Sequence, residues 1–354
     1  MRILYIVPEF DEGGVETHVL NLIHELVRMN HNHEITLATS GGRLEHELPG
    51  NIRVLHLPVE RKNPFTIIYS ALRLSRLHKK FHWDIIHAHS RVPAFIAWIL
   101  SSLTHTKWLM TAHALYSLNK GILPVKHADG VICVSEAVRH HLINYIPVNT
   151  VTIPNGIIPP KLKYSDFNHE GITRFLFVGR LTRLKGLDVA LHALSELKNY
   201  DWSLDVLGEG PHREELEELS RSLELDERVT FHGNKDNHEV EAFMAKSSCL
   251  IFPSFSEGMG LSVLEALSMG LPVIASDLEA LHEFSEGDLV PVGNIDAWRE
   301  AMRKFLLECV SSPLRPDKII TVHEMAMKTE NYYEEMSLSN GIKNSDNKTH
   351  NKRN

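Results

Sequence analysis

Two carboxylates and two cations in the second half of the chain are of the types that could act on a sugar diphosphate. Glu257 and Glu265 fall within SEGMGLSVLE (256–265), the first in a glycine-rich turn and the second on a helix expected to begin near Leu261. A turn containing Gly258 and Gly260 exposes backbone N–H groups, and a helix N-terminus favours bound anions. One carboxylate can then accept hydrogen bonds from sugar hydroxyls while the other grips a ribose diol. Upstream, Arg180 and Lys185 lie in GRLTRLKG (179–186), where a strand gives way to a helix, so both cations can converge on one point. A departing diphosphate needs such neutralisation, and two fixed cations can supply it in place of a metal. The chain contains no Asp-x-Asp of the kind that often holds a divalent ion on a sugar diphosphate. Taken singly, each of these features is also what an ordinary solvated loop presents; their combination carries the reading.

The elements that must hold these residues follow from the hydrophobic pattern. Short β-branched runs alternate with helical patterns, which predicts βαβ units and parallel sheets. In the first half the strands are RILYIV (2–7), EITLAT (34–39), IRVLHL (52–57), DIIHAH (84–89), KWLMTA (107–112) and VICVS (131–135). After a polar, proline-containing stretch at 152–171 the rhythm restarts with RFLFVG (174–179), WSLDVLG (202–208), RVTFHG (228–233), CLIFPS (249–254) and LPVIAS (271–276). The expected architecture is α/β: two doubly wound, Rossmann-like domains, 1–155 and 156–316, facing across a cleft. Ligands in such sheets bind beyond the carboxyl ends of the strands. A helix at 317–336 is expected to pack back towards the first domain, and the polar tail 337–354 to be disordered.

Bulk properties agree with two ordinary cores. A chain of 354 residues is too long for one. With 37 basic against 45 acidic side chains the net charge is −8, which argues against a nucleic-acid partner. Three cysteines, Cys133, Cys249 and Cys309, argue against a disulfide framework and for a reducing, cytoplasmic compartment. The start MRILYIVPEF is too short a run for a signal sequence, and AFIAWILSSL (94–103) falls short of the roughly 20 residues of a membrane span.

Among 23 histidines, His87 and His89 alternate on one strand and share a face, which resembles half of a metal site. No third ligand stands at a sensible spacing, so packing is their expected role, and no metal site is expected. His31, His33, His140 and His141 are expected at the surface. The stretch ALRLSRLHKK (71–80) combines Arg73, Arg76, Lys79 and Lys80 with Leu72, Leu74 and Leu77. It reads as an amphipathic helix on the first sheet, or as a surface for anionic lipid headgroups that would suit a lipid-linked acceptor.

GRLTRLKG, GEGPHREEL (208–216), VTFHGN (229–234) and FPSFSEGMGLSVLEALSMGLPVIAS (252–276), in that order and spacing, resemble the family-four retaining glycosyltransferases of the GT-B fold. The first half has a thinner likeness in the same register: GGVETH (13–18), DIIHAHS (84–90), TAHAL (111–115), DGVICVSEAV (129–138) and IPNGI (153–157). The resemblance implies that Arg180 and Lys185 hold the donor diphosphate, that Glu265 binds the ribose hydroxyls and that Glu257 contacts the transferred sugar. It further implies that Gly13 and Gly14 admit the phosphates close to the backbone, as glycine permits. Gly258, Gly260 and Leu261 would offer the donor backbone groups. His113 would contact the sugar near the reacting carbon, and the base would lie near Gly208 and the Gly233–Asn234 turn. One departure is LHEFSEGDLVPVGN (281–294), shorter than the family's usual loop in a region that borders the donor.

The function implied is metal-independent, retaining transfer from a nucleotide sugar to a hydroxyl of a glycan or lipid-linked acceptor. A UDP-sugar is favoured by the family's habits, and cell-surface polysaccharide or glycolipid synthesis is the expected setting. The nucleotide sugar is a substrate, and no cofactor is expected. The expected location is cytoplasmic, peripheral on the inner face of an anionic membrane. Alternatives on the same fold are a nucleotide-sugar epimerase, a glycan phosphorylase, or a catalytically inactive nucleotide-binding protein.

Overall fold

A computed structural model describes residues 1–11, 13–29, 32–164, 171–285 and 287–349, with side chains described as far as 338. His31 and residues 350–354 of the tail lie outside these. The chain divides into two compact units, Met1–Gly156 with Ile320–Asn354, and Ile157–Ile319.

Among the described residues the first unit has a seven-stranded sheet of β1 (Arg2–Ile6), β2 (Glu34–Thr39), β3 (Arg53–His56), β4 (Ile85–His89), β5 (Lys107–Ala112), β6 (Gly130–Cys133) and β7 (Thr150–Thr152). Its order is β3-β2-β1-β4-β5-β6-β7, and every neighbouring pair is parallel. The intervening helices are α1 (Gly14–Arg28), α2 (Pro64–Phe81), α3 (Arg91–Thr104) and α4 (Glu136–Leu142). The second unit has a five-stranded parallel sheet of β8 (Thr173–Val178), β9 (Trp202–Leu207), β10 (Val229–Gly233), β11 (Cys249–Phe252) and β12 (Val273–Ala275), in the order β10-β9-β8-β11-β12. With it go α5 (Leu187–Ser195), α6 (Arg213–Ser222), α7 (Asn237–Lys246), α8 (Leu261–Met269), α9 (Glu279–His282) and α10 (Ile295–Glu308). Each unit is thus a Rossmann-like, doubly wound α/β fold. The central strands are buried on both faces, which is why β1, β4, β5 and β11 read as continuous rather than alternating apolar runs.

Sheets of this order reverse direction at one point, between β1 and β4 in the first and between β8 and β11 in the second. The carboxyl ends of those strands form the crevice where doubly wound folds bind ligands. Capping follows the same geography. Asn63, Ser135, Asp236 and Asn294 each accept a backbone N–H at the start of α2, α4, α7 and α10. By contrast α1 starts after Gly13 and α8 after Gly260 with no side-chain cap, leaving N–H groups available beside both crevices.

The last helix, α11 (Val322–Thr349), belongs to the first unit. It buries Met325, Tyr332, Tyr333 and Met336 in that unit's core, and Tyr332 Oη donates to Asn149 O at 2.8 Å. Gly130 has no side chain where one would strike the Tyr332 hydroxyl. Two expectations change here. Helix continues through 337–349, where composition predicts disorder; once a packed nucleus exists, each further residue needs only one more hydrogen bond. His33, expected at the surface, is buried against Glu330 at 2.7 Å because α11 covers it.

Cys133 and Cys249 are buried and Cys309 is exposed, all as free thiols. No helix among the described residues is long and apolar enough to cross a membrane.

Candidate functional site

In the second unit, Lys185 ends a short 3-10 turn (Arg183–Lys185) after β8, and Glu257 lies in the loop after β11, on either side of the switch point. They meet: Lys185 Nζ donates to Glu257 Oε1 at 2.6 Å, and Ser254 Oγ donates to the same oxygen at 2.8 Å. The ammonium also stands 5.8 Å from the Phe252 ring centroid. Sequence reasoning assigns these two residues to different parts of a donor and does not foresee that they pair. The arrangement holds a cation and a carboxylate in fixed positions, each with part of its hydrogen-bonding capacity still open to a ligand. Arg180 is exposed, and among the described residues its guanidinium has no ion-pair partner.

The local backbone explains why Lys185 reaches Glu257. Phe255 N donates to Leu184 O at 2.8 Å, tying the two loops together. Gly186 makes this approach feasible: its φ is +65°, and a Cβ there would collide with Pro253 O. Sequence reasoning treats Gly186 only as the end of a motif. Gly186→Ala is expected to cost at least about 1–2 kcal/mol in urea unfolding, from backbone strain before any clash is added. Gly179→Ala, where a Cβ would find only ordinary contacts of 3.7 Å, is expected to cost less than about 0.5 kcal/mol. Equal costs at the two positions would contradict this account of the loop.

The other predicted residues of this unit surround the same strand ends. Leu181 N donates to Glu209 O at 2.9 Å and Gly208 N to Gly233 O at 2.8 Å, lacing the loops after β8, β9 and β10. Gly208, at φ +130°, leaves room for Gly179 O. Asn234 follows on the surface. Gly258 and Gly260 lead into Leu261, the first residue of α8, and Glu265 lies one turn further along that helix. Burial raises the Glu265 carboxyl to about 7, so it titrates near neutrality. The short segment after β12 still returns to this loop cluster. Ser276 bridges Val290 in parallel, and Gly293 lies with its α-carbon against Phe255.

In the first unit His113 follows β5, His89 ends β4 and His18 comes from α1, and the three converge. His89 Nδ1 and His113 Nε2 are 2.9 Å apart, and His18 meets His113 edge-on with ring centroids 4.8 Å apart. His87 lies behind, hydrogen-bonded at 2.7 Å to Tyr333 Oη on one nitrogen and to Thr111 Oγ1 on the other. Burial, and then the neighbouring imidazoles, depress His87, His89 and His113, and burial brings His18 down to about 4. All four rings are therefore neutral at pH 7, able to donate and accept hydrogen bonds but not to neutralise phosphate.

The expectation that His89 has no third ligand nearby is corrected, because α1 and β5 deliver His18 and His113 from distant sequence. Ligand atoms of His18, His89 and His113 all lie within 4.8 Å of one another, so this is the group that could hold a metal ion. The His89–His113 hydrogen bond already engages one nitrogen of each, and an ion would compete with it. His87 is core, as expected. His18 Nδ1 and His89 Nε2 are buried with no hydrogen-bond partner among the described residues, which marks the cluster as a place a ligand completes. The signal for His18 was the last residue of GGVETH. Ser90, held at φ +81° straight after His89, is a second strained position at this site.

Gly13 and Gly14 sit at the exposed start of α1 beyond β1. Gly13 is extended at φ 178°, and a Cβ there would meet only the far end of the Glu16 side chain. Neither turn geometry nor fixed packing requires glycine at Gly13, which leaves approach by a ligand as its use.

Residues 12–159 match the family described as Glycosyltransferase Family 4, and residues 165–317 match Glycosyl transferases group 1. One component of the human phosphatidylinositol N-acetylglucosaminyltransferase is 26% identical over 361 residues, spanning 92% of this chain and 74% of that protein. The Mycobacterium leprae phosphatidyl-myo-inositol mannosyltransferase is 29% identical over 332 residues, spanning 85% of this chain and 86% of that protein. Among solved structures, a glycosyltransferase from Rickettsia africae aligns with a TM-score of 0.79 at 23% identity, covering 95% of this chain and 98% of that one. Anabaena HepE, solved with UDP and glucose, aligns with a TM-score of 0.78 at 16% identity, covering 93% of this chain and 98% of that one. Both structural likenesses concern the fold.

Proposed function

Because the chain belongs to the group 1, family-four glycosyltransferases of the GT-B fold, we propose that it moves a sugar from a nucleotide-sugar donor to an acceptor hydroxyl with retention and without a metal. The observation that carries this reading is the Lys185–Glu257–Ser254 clamp at the switch point of the second sheet, in the same loop-helix segment as Glu265. In the proposed reaction the bond between the anomeric carbon and the diphosphate breaks as the acceptor oxygen attacks from the same face. The acceptor's proton passes to the departing phosphate oxygen. Lys185 and Arg180 stabilise the charge that develops there, which is the main catalytic contribution assigned. His113, being neutral, donates or accepts a hydrogen bond at the sugar rather than supplying charge. The reaction requires both half-sites to reach one donor molecule.

Glu265 accepts the ribose hydroxyls in this reading, and the loops around Gly208, Gly233 and Asn234 hold the base. UDP is the favoured nucleotide, supported by the UDP bound to the structurally similar HepE. The relatives named for glycosylation of phosphatidylinositol support a lipid-linked acceptor, with the basic helix α2 touching an anionic membrane. A thermal-shift panel of UDP, GDP and ADP tests the donor. One of them at saturating concentration is expected to raise Tm by on the order of 5 °C. No shift with any would return the chain to a binding or scaffold role.

A further inference from the structure

The first unit holds a cavity that the donor reading does not use. It measures about 530 Å³, within the range of small-ligand sites, and lies between α2, α3 and the 3-10 segment Lys120–His127. Its apolar wall is Pro64, Ile67 and Ile68 from α2 and Val92, Phe95 and Ile99 from α3. Lys62 and Arg91 stand at its polar rim.

Beside the cavity, α2 leaves Phe65, Ile68, Tyr69 and Leu72 exposed at 82%, 48%, 56% and 42%. These positions follow i, i+3, i+4 and i+7, so they form one outward apolar stripe. Its inward face is different: Ser70, Ala71 and Leu74 are buried. The expected inward stripe of Leu72, Leu74 and Leu77 is thereby corrected, since Leu72 turns outward. The charge around the stripe is of one sign. α2, α3 and Lys120–His127 contain Arg73, Arg76, Lys79, Lys80, Arg91, Lys120 and Lys126 and no aspartate or glutamate, in a chain of net charge −8.

We infer that this cavity takes one hydrocarbon chain of an anionic lipid, with the α2 stripe set in the bilayer interface. An apolar cavity that opens beside exposed aromatics and cations free of acids fits an anionic amphiphile on both counts. The position also connects to the reaction. The Arg91 guanidinium lies over the Tyr116 ring at 5.5 Å, and Tyr116 Oη accepts from His113 N at 3.3 Å. A headgroup held by Arg91 is then one side chain away from His113, so the lipid is the acceptor. That last clause rests on the transferase reading; chain binding does not.

The test uses the full chain, soluble lysophosphatidylglycerols with octyl and dodecyl chains below their micelle concentrations, glycerol 3-phosphate, and phosphatidylcholine vesicles with or without phosphatidylglycerol. The dodecyl lipid is expected to bind at least about tenfold more tightly than the octyl one. Val92→Trp, at a half-buried position, fills the cavity and should erase that gain while sedimentation with anionic vesicles falls less than about threefold. Ile99→Trp serves the same purpose if Val92→Trp does not fold. Ile68→Asp should weaken both. A nucleotide-induced thermal shift should be unaltered in every variant. If the native chain has no such shift, the donor reading fails while the chain-length result stands. A cavity-filled, folded variant that keeps its chain-length gain overturns the proposal. So does glycerol 3-phosphate competing as well as the dodecyl lipid, or equal binding to neutral and anionic vesicles.

Discussion

Lys185→Ala is expected to lower kcat by about 10²–10³-fold, with kcat/KM for the donor falling in parallel. The Lys185 ammonium is fixed by Glu257 at 2.6 Å before any substrate arrives, so it need not reorganise when the diphosphate departs. Preorganised charge of this kind is where an enzyme gains most over water. A structural role would produce a different pattern. Removing the lysine leaves the Glu257 carboxylate held only by Ser254, and a partly buried, unpaired charge destabilises the loops. The double variant Lys185→Met with Glu257→Gln separates the two effects. If the pair only staples the loops, the double variant regains most of the activity, because no unpaired charge remains. If Lys185 stabilises the leaving group, the double variant stays as slow as Lys185→Ala. Single-turnover rates and urea unfolding on the same three proteins decide it, and near-normal turnover in Lys185→Ala removes the residue from the mechanism.

Glu265→Gln is expected to weaken nucleotide binding by about 10–100-fold while raising Tm at pH 8. Burial places the Glu265 carboxyl at about 7, above its ordinary value of 4.5. A carboxyl whose folded value is raised favours the folded state while protonated, and that contribution is lost as pH climbs from 4.5 through about 7. With water still reaching part of the side chain, the cost at pH 8 is on the order of 2 kcal/mol. Glutamine is neutral throughout, so the gap in Tm between variant and native protein should open between about pH 5 and pH 8. The functional consequence runs the other way. Two ribose hydroxyls need the ionised form, so native nucleotide affinity should fall by up to about tenfold per pH unit below 7, and the variant's weak binding should be flat. Calorimetric titration across pH measures both profiles. Normal binding by the variant places Glu265 outside the ribose site.

The alternation of β-branched runs with helical patterns was enough to read two parallel-sheet units, because buried parallel strands announce themselves as short continuous apolar stretches. Glu257, Glu265, Arg180 and Lys185 could be picked out since each follows a strand and precedes or enters a helix. Their pairing could not. Whether Lys185 reaches Glu257 depends on a loop-to-loop hydrogen bond and on Gly186 passing close to Pro253 O, contacts about 70 residues apart in the chain. His18 was hidden for the same reason: it lies on α1, and only the strand order β1-β4-β5 brings it to His89 and His113. His33 was misread because its cover, α11, arrives some 300 residues later. The outward stripe on α2 was missed because helical spacing alone does not say which of two apolar faces meets the sheet.

The central claim is metal-independent transfer with retained configuration. The measurement that tests it most directly is the anomeric proton coupling of the product, recorded by NMR from a reaction run in EDTA. The sugar nucleotide would be the one selected by the thermal-shift panel, with phosphatidylglycerol-containing vesicles present and the acceptor chosen from the lipids that bind. The account predicts undiminished turnover in EDTA and a product whose anomeric configuration matches the donor's. An inverted product, or transfer that stops in EDTA and returns with a divalent ion, would contradict it.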